Sequence, residues 1–448
     1  MEQEKRENKM GVMPEGKLLV SMSLPVMLSM LMQALYNIVD SMFVARISER
    51  AVAAVSLAFP VQLMMIAIAS GTGVGINALL SRRLGQKRQA EADAVAVNGV
   101  FLAVVWWLVF AALGALGGRA FIAAFSDAPD LVAMGTDYVR ICTGGSCGVF
   151  LLFVAERLMQ ATGNTLYHMY TQFLGAGLNV ILDPILIFGL FGAPRLGVAG
   201  AAIATIISQI IAMLFGYAIN IFWNHDIHLR LRGFRPDLRM IREVYQIGLP
   251  AILTQSLTSL LTVGMNRILM PYTETAIGFY GIYYKLQNFL YMPIFGMNNA
   301  LIPMVGYNYG AHRFDRIRNI TRHALTMALT IMAVGTAAFL LFPAPLLHLF
   351  KASDQMLSIG VPAIRIIAVS FCFSAVSLVL SGCLQGLGKG GDALLIALLR
   401  QMVILLPVAA LGAHYVGLWA VWLAFPLAEL IAFGVAVLLW RRTLALQK

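Results

Sequence analysis

Long apolar stretches leave this chain few folds. Runs of mainly apolar residues, long enough at about 20 residues to cross a bilayer, recur near 22–46, 52–80, 92–117, 136–159, 167–191 and 197–223. After a polar stretch they resume near 245–270, 275–305, 321–343, 358–384, 391–413 and 416–440. In hydrocarbon every backbone N–H and C=O must be bonded within the chain, so these runs are read as helices. The second and eighth are long enough to tilt or protrude. Composition agrees with this reading. Apolar residues make up 60% of the 448 and charged residues only 12%, against about 45–50% and about 25% in soluble proteins. So few charges cannot clothe two or three soluble domains, and disorder needs the opposite balance. The expected fold is an all-α membrane protein of about twelve transmembrane helices.

The net charge of +11 is placed by topology. Segments joining even spans to odd ones carry Arg82, Arg83, Lys87 and Arg88, then Arg230, Arg232, Arg235, Arg239 and Arg242, then Arg313, Arg316, Arg318 and Arg322. Lys5, Arg6, Lys9 and Lys17 flank one end, and Arg441, Arg442 and Lys448 the other, while the opposite segments offer Arg46, Arg50, Arg119, Arg195 and Lys351. Cytoplasmic loops hold the positive excess, so both termini are expected in the cytoplasm of a multi-pass inner-membrane protein. Basic residues spread over many short loops do not form a nucleic-acid patch. The first apolar run, with no small-residue cleavage site after it, reads as a retained span. Cys142, Cys147, Cys372 and Cys383 lie in apolar segments without CxxC spacing and read as buried hydrophobes.

The chain also repeats itself. An offset of 225 pairs Leu24-Pro25 with Leu249-Pro250, Gln62 with Gln287, Gly71 with Gly296, Gly85 with Gly310, Arg140-Ile141 with Arg365-Ile366 and Gly163 with Gly388. Near the end it becomes 220, pairing Gly197 with Gly417. Six spans per copy is an even number, so the copies are parallel repeats about an axis along the membrane normal. The expected organisation is a segment 1–17, a first lobe 18–223 with spans one to six, a linker 224–242, a second lobe 243–440 with spans seven to twelve, and a tail 441–448.

Carboxylates inside spans are the sharpest chemical signal, because an Asp at a helix centre costs about 2.5–3.5 kcal/mol. Asp40 and Asp183 lie in the first and fifth spans at similar depth below the same boundary. Asn179 precedes Asp183 by four residues and shares its helix face, and Thr205 sits at matching depth on the sixth span. Asp40, Asn179, Asp183 and Thr205 are therefore the expected site of Na+ or H+. Each also has a plainer reading: Asp40 as the partner of an Arg, Asp183-Pro184 as a kink, Thr205 and Tyr138 as hydroxyls bonded to backbone. The repeat puts Met265 opposite Asp40, so cation binding should belong to the first lobe alone. In the eighth span Lys285, Tyr284, Gln287, Asn298 and Asn299 are expected to line a substrate cavity, Lys285 alternatively tying that span to a neighbour. The 24 methionines and the aromatics suit a cavity for apolar cations. Pro25, inward of Asp40 on the same helix, frees a carbonyl and permits bending.

Three stretches taken together resemble a known family: Leu35-Tyr36-Asn37-Ile38-Val39-Asp40-Ser41-Met42-Phe43-Val44, Leu158-Met159-Gln160-Ala161-Thr162-Gly163-Asn164, and Asn179-Val180-Ile181-Leu182-Asp183-Pro184 followed by Gly197-Val198-Ala199-Gly200-Ala201. In their order, and over essentially the whole chain, they resemble the multidrug and toxic compound extrusion (MATE) transporters, most nearly the prokaryotic branch related to DNA-damage-inducible efflux proteins. The resemblance implies a two-lobed antiporter that exports amphipathic, cationic compounds for Na+ or H+ by alternating access. It implies that Asp40, Asn179, Asp183 and Thr205 hold the ion, that Tyr138 hydrogen-bonds into that site, and that a bend of the first span at Pro25 accompanies ion binding. No cofactor and no obligate protein partner are implied beyond the bilayer and a small-molecule substrate.

Rival readings fare less well. Gly71-Thr72-Gly73-Val74-Gly75 has no preceding strand and reads as close helix packing. Gly386-Leu387-Gly388-Lys389 lacks the Ser or Thr of a phosphate loop, so an ion gradient is the expected energy source. No convergent nucleophile or metal set suggests an enzyme. A lipid or lipid-linked glycan flippase is the alternative function, disfavoured by the scarcity of intramembrane cations.

Overall fold

The structure, a computed structural model, describes residues 7–230 and 234–445. Lys5, Arg6, Arg232 and Lys448 of the basic flanks lie outside the described residues. A short helix α1 (Lys9–Val12) leads into α2 (Glu15–Ala45), α3 (Glu49–Gly85), α4 (Gln89–Ala123), the bent pair α5 (Pro129–Gly144) and α6 (Cys147–Ala161), α7 (Thr165–Phe188) and α8 (Val198–Phe222). The second half repeats the plan with α9 (Leu238–Leu269), α10 (Glu274–Gly310), α11 (Phe314–Leu341), the short α12 (Pro343–His348), the bent pair α13 (Asp354–Ala368) and α14 (Phe371–Gly386), then α15 (Gly390–Leu398), a π-helical segment Leu399–Val403, α16 (Leu405–Tyr415) and α17 (Leu418–Ala445). Ten spans result, or twelve with each bent pair counted as one crossing. The fourth and tenth spans, expected as continuous, bend by 41° and 50°. Gly145 and Ser370 mark the two breaks and are related by the offset of 225.

That offset reaches the backbone. Lys87 and His312 both adopt left-handed geometry (φ 59° and 56°), as do Gly163 and Gly388 (φ 86° and 82°). Helices α3 and α10 start alike: Ser48 accepts from the Ala51 amide at 3.0 Å and Thr273 from the Ala276 amide at 3.1 Å, each satisfying an N-terminal donor. Both helices run 37 residues, about 56 Å at 1.5 Å per residue, and so protrude well beyond a hydrocarbon layer.

The lobes meet where glycine lets backbones touch. Gly71 packs on Ile252 and Gly296 on Met27; Gly85 packs on the Tyr307 carbonyl and Gly310 on the Arg82 carbonyl. Each pair is the other's image under the repeat, so a pseudo-twofold axis passes between them. The inner halves of α2 and α9 cross over as well. Leu18, Leu19, Met22 and Val26 join the second lobe's core, while Met240 and Val244 join the first lobe's. Arg83 is bonded to Glu243 at 2.6 Å, and Arg82 lies over the Tyr309 ring at 4.8 Å. These contacts close the end of the bundle that carries both termini.

α1 is wedged into that closed end. Met10 is fully buried, and its carbonyl accepts from Asn308 at 3.1 Å and Arg316 at 3.3 Å, both from the second lobe. On the other side Asn8 donates to the Thr162 carbonyl at 2.9 Å and to Asp226 at 3.0 Å. Burial pushes the Asp226 carboxyl up and the Lys9 ammonium down.

Candidate functional site

Helices α7 and α8 run side by side in the first lobe because Gly200 lets α8 approach the Leu186 carbonyl. Asn179 there donates to Asp183 at 3.4 Å and to Thr205 at 3.3 Å. The Thr205 hydroxyl donates in turn to the Ala201 carbonyl at 3.0 Å. Asp40 arrives from α2 with its carboxyl beside the Asp183 carboxyl. All four expected residues therefore converge. What the cluster lacks is donors. Asp40 Oδ1, Asn179 Oδ1 and Asp183 Oδ2 are buried without a partner. A buried acceptor left unsatisfied costs about 1–3 kcal/mol, more for a charged one, and two facing carboxylates do not both ionise unaided. A small hard cation or a shared proton fits such an oxygen set. Among the described residues no group of three or more His, Cys, Asp or Glu offers a site for a tighter-bound metal.

Tyr138 behaves differently from the expectation. Its hydroxyl accepts from Gln62 at 3.1 Å and bonds to none of the four residues. Tyr36, which the sequence reading passed over, lies one turn inward from Asp40 and close to Asp40, Asp183 and Glu156. Helix α2 runs unbroken through Pro25. The Ser21 carbonyl, freed by the missing proline N–H, accepts from the Thr165 hydroxyl at 3.5 Å.

Between the lobes lies a cavity of about 420 Å³, within the range of small-molecule sites. Tyr284, Gln287, Asn298 and Asn299 line it as expected from their spacing on α10. Asp40, Asn179, Asp183 and Thr205 do not; their cluster lies apart from it, among α2, α7 and α8 of the first lobe. Lys285 does not line the cavity either. It sits about 100° around the helix from Tyr284, on an exposed stripe with Gly278, Gly281 and Phe289. Methionine does not furnish the lining, since only Met30 reaches it. Amides do instead: Gln33, Gln160, Gln172, Gln255, Gln287, Gln385 and Gln401 all face the space. Arg83–Glu243 (2.6 Å), Arg157–Asn299 (3.0 Å) and Gln255–Ser70 (3.4 Å) join the lobes across the cavity and toward the termini, and among the described residues no interlobe hydrogen bond lies beyond Gln255–Ser70 on the opposite side.

The sequence reading also missed the cavity's charges. Glu156, Arg157 and His168 line it from the first lobe, Arg400 and Glu429 from the second. Arg400 holds Glu429 with two parallel bonds of 2.8 and 2.7 Å, the strong fork geometry of guanidinium on carboxylate. Arg157 instead donates to the amide oxygens of Gln160 (2.8 Å) and Asn299 (3.0 Å). Intramembrane cations are thus less scarce than expected. The signal was a charged residue inside each of the fourth, eleventh and twelfth runs.

Comparison with known proteins agrees with this architecture. The MatE family profile matches twice, over residues 25–185 and 250–411, once per lobe and 225 residues apart. The Multidrug export protein MepA of Staphylococcus aureus (strain NCTC 8325 / PS 47) is 26% identical over 432 residues, covering 95% of this chain and 94% of that one. MepA of Staphylococcus haemolyticus (strain JCSC1435) is 26% identical over 422 residues, covering 94% and 92%. Among solved structures, an outward-facing multidrug resistance MATE family transporter of the MOP superfamily superposes with a TM-score of 0.91 at 26% identity, over 99% of both chains. A MOP superfamily transporter from Pyrococcus furiosus Vc1 (DSM3638), described for a reverse polarity of its binding pocket that suggests a different function, superposes with a TM-score of 0.90 at 26% identity, again over 99% of both. The chain belongs to the MatE family and is a membrane transport protein, not an enzyme.

Proposed function

We propose that the protein is a multidrug efflux antiporter that exports amphipathic, cationic compounds in exchange for Na+ or H+. The carrying observation is the set of buried oxygens without donors at Asp40, Asn179 and Asp183, set beside an apolar, fully buried Met265 at the repeat-equivalent position. The first lobe then binds the ion, and the cavity between lobes binds the compound. Rocking of the lobes about their pseudo-twofold axis alternates the open end. The positive excess supports a cytoplasmic side for the terminus-bearing end, and in this reading the cavity opens toward the other side of the membrane. One charge moving down 100 mV is worth about 2.3 kcal/mol, roughly a fifty-fold concentration ratio. The names of the Staphylococcus relatives support an export role.

The test is reconstitution in liposomes with a fluorescent organic cation, under imposed Na+ and H+ gradients applied separately. Transport driven by one gradient and lost in Asp40→Asn is the expected result and identifies the ion. Lipid flipping without cation transport would replace efflux by the flippase reading.

A further inference from the structure

At the terminus-bearing end a second cavity, of about 400 Å³, shares no residue with the central one. Its walls include the turns 86–88 of the first lobe and 311–313 of the second, which are related by the offset of 225 and meet at the pseudo-twofold axis. Each turn places a basic residue where the chain leaves its helix in left-handed geometry, Lys87 at φ 59° and His312 at φ 56°. Glycine is the usual residue at such a helix end, so each lobe accepts backbone strain to present a basic side chain there. Arg88 and Arg313 come next. Other basic residues at this end are neutralised: Arg83 by Glu91 and Glu243 at 3.1 and 2.6 Å, and Arg316 by Glu15 at 3.4 Å. In the cavity the one carboxylate among the described residues is Glu7, and it engages Arg313 at 2.6 Å. Arg88 has a 3.4 Å contact with Glu91 between exposed side chains, which contributes little. Lys87 has no ion pair among the described residues. The amides of Gln86, Lys87 and Arg88 are bonded to α3 carbonyls at 3.0, 2.9 and 3.0 Å, so side chains and not backbone are free to hold a ligand. Cations from opposite lobes thus face one another across a space with a single acid.

We propose that this second cavity binds a soluble phosphate-bearing anion, which bridges the two lobes and holds their terminus-bearing ends together. Lys and Arg are common phosphate ligands, and cations on opposite walls suit an anion with more than one charge. The source is soluble and not a lipid, because the C-terminal ends of α3 and α10 carry the cavity beyond the hydrocarbon layer and on the axis between the lobes, away from the lipid-facing perimeter. An occupant that touches both turns binds better when they face each other than when the lobes part, so it shifts the population toward the present arrangement. The site is independent of which compound the central cavity carries.

The test titrates inorganic pyrophosphate into full-length protein in nanodiscs of neutral lipid, followed by calorimetry in magnesium-free buffer. Binding that weakens with added salt is expected. Lys87→Gln combined with Arg88→Gln should weaken it about tenfold or more, the worth of a hydrogen bond to a charged group. Glu7→Gln removes the competing carboxylate and should tighten binding severalfold, a gain that poor folding does not produce. Lys351→Gln, in a segment of the opposite end, should leave it unchanged. A cysteine placed at Ser81, whose hydroxyl oxygen lies against Gly306 of the other lobe, should be labelled more slowly when pyrophosphate is present. Wild-type protein that binds no pyrophosphate overturns the site. So does binding that neither the paired glutamine variant nor Glu7→Gln alters, or that Lys351→Gln lowers as much as the pair does. Labelling unchanged at saturating pyrophosphate overturns the bridging. Phosphatidylglycerol retained through Lys87 and Arg88 in mixed-lipid nanodiscs, with no pyrophosphate bound, overturns the soluble source and assigns the cavity to a lipid headgroup.

Discussion

At repeat-equivalent contacts the two lobes fill the same space in opposite ways. In the first, Gly73 on α3 lies beneath Arg157 on α6; in the second, Asn298 on α10 lies over Gly382 on α14, whose added Cβ would stand 2.9 Å from Asn298 Oδ1. One large polar residue and one small one satisfy the packing either way. The choice decides whether the cavity wall receives a charge or an amide. A similar contrast holds for the buried carboxylates. Glu429 is fully engaged by Arg400, whereas Asp40, Asp183 and Glu156 each keep an oxygen without a donor. The scaffold's symmetry is thus separable from its chemistry: the second lobe pairs its charges internally, and the first leaves them open to a ligand or ion.

The largest way to break this comparison is Glu429→Ala. It strands Arg400 in the protein interior and should cost about 3–5 kcal/mol, read as a fall in thermal unfolding temperature in detergent. Replacing both partners, as in Arg400→Met with Glu429→Leu, should recover most of the loss. An unchanged melt in Glu429→Ala would mean the second lobe does not depend on its pair. Asp183→Asn should do the reverse, leaving the melt intact while gradient-driven transport falls roughly a hundredfold, since the ion must offset about 2.5–3.5 kcal/mol of carboxylate burial. A melt lowered as much as in Glu429→Ala would erase the distinction between the lobes.

Symmetry itself is tested by smaller changes. Gly85→Ala and Gly310→Ala each push a methyl into the opposite lobe's backbone and should cost about 1–3 kcal/mol. Labelling of a cysteine placed at Ser81 should rise in both, to similar extents; a rise in one only would show that a single side carries the seal. Ser48→Ala and Thr273→Ala should each cost about 1 kcal/mol, the usual worth of an N-cap, and equal shifts in melting would sharpen the repeat.

Much of the fold was legible because apolar length and a fixed offset are one-dimensional properties. The offset that pairs Gly85 with Gly310 reappears as reciprocal interlobe contacts, and Asn179, Asp183 and Thr205 meet because a four-residue step and a matched depth survive folding. Properties of the helix surface were harder to read. Lys285 and Tyr284 are neighbours in sequence, yet a 100° turn puts one on the exposed stripe and the other in the cavity. Glu156 and Arg157 lie within three residues of the expected span end at 159, where a charge carries little of the signal that Asp40 and Asp183 give. The bend at Gly145 and the protrusion of α3 and α10 set them at the cavity wall instead. Arg400 was obscured in another way, since it lies in a π-helical segment that shifts the facing of residues after it.

The wedge at α1 sets an order on biosynthesis. The carbonyls of Met10 and Met13 accept from Arg316, which lies 306 and 303 residues later in the chain. At a synthesis rate of about 5–20 residues per second, that partner arrives roughly 15–60 s after Met10. Before that, α1 can meet Thr162 of the first lobe and Asp226 of the linker, themselves more than 150 residues downstream. The α1 wedge is therefore completed only after the second lobe has begun to emerge.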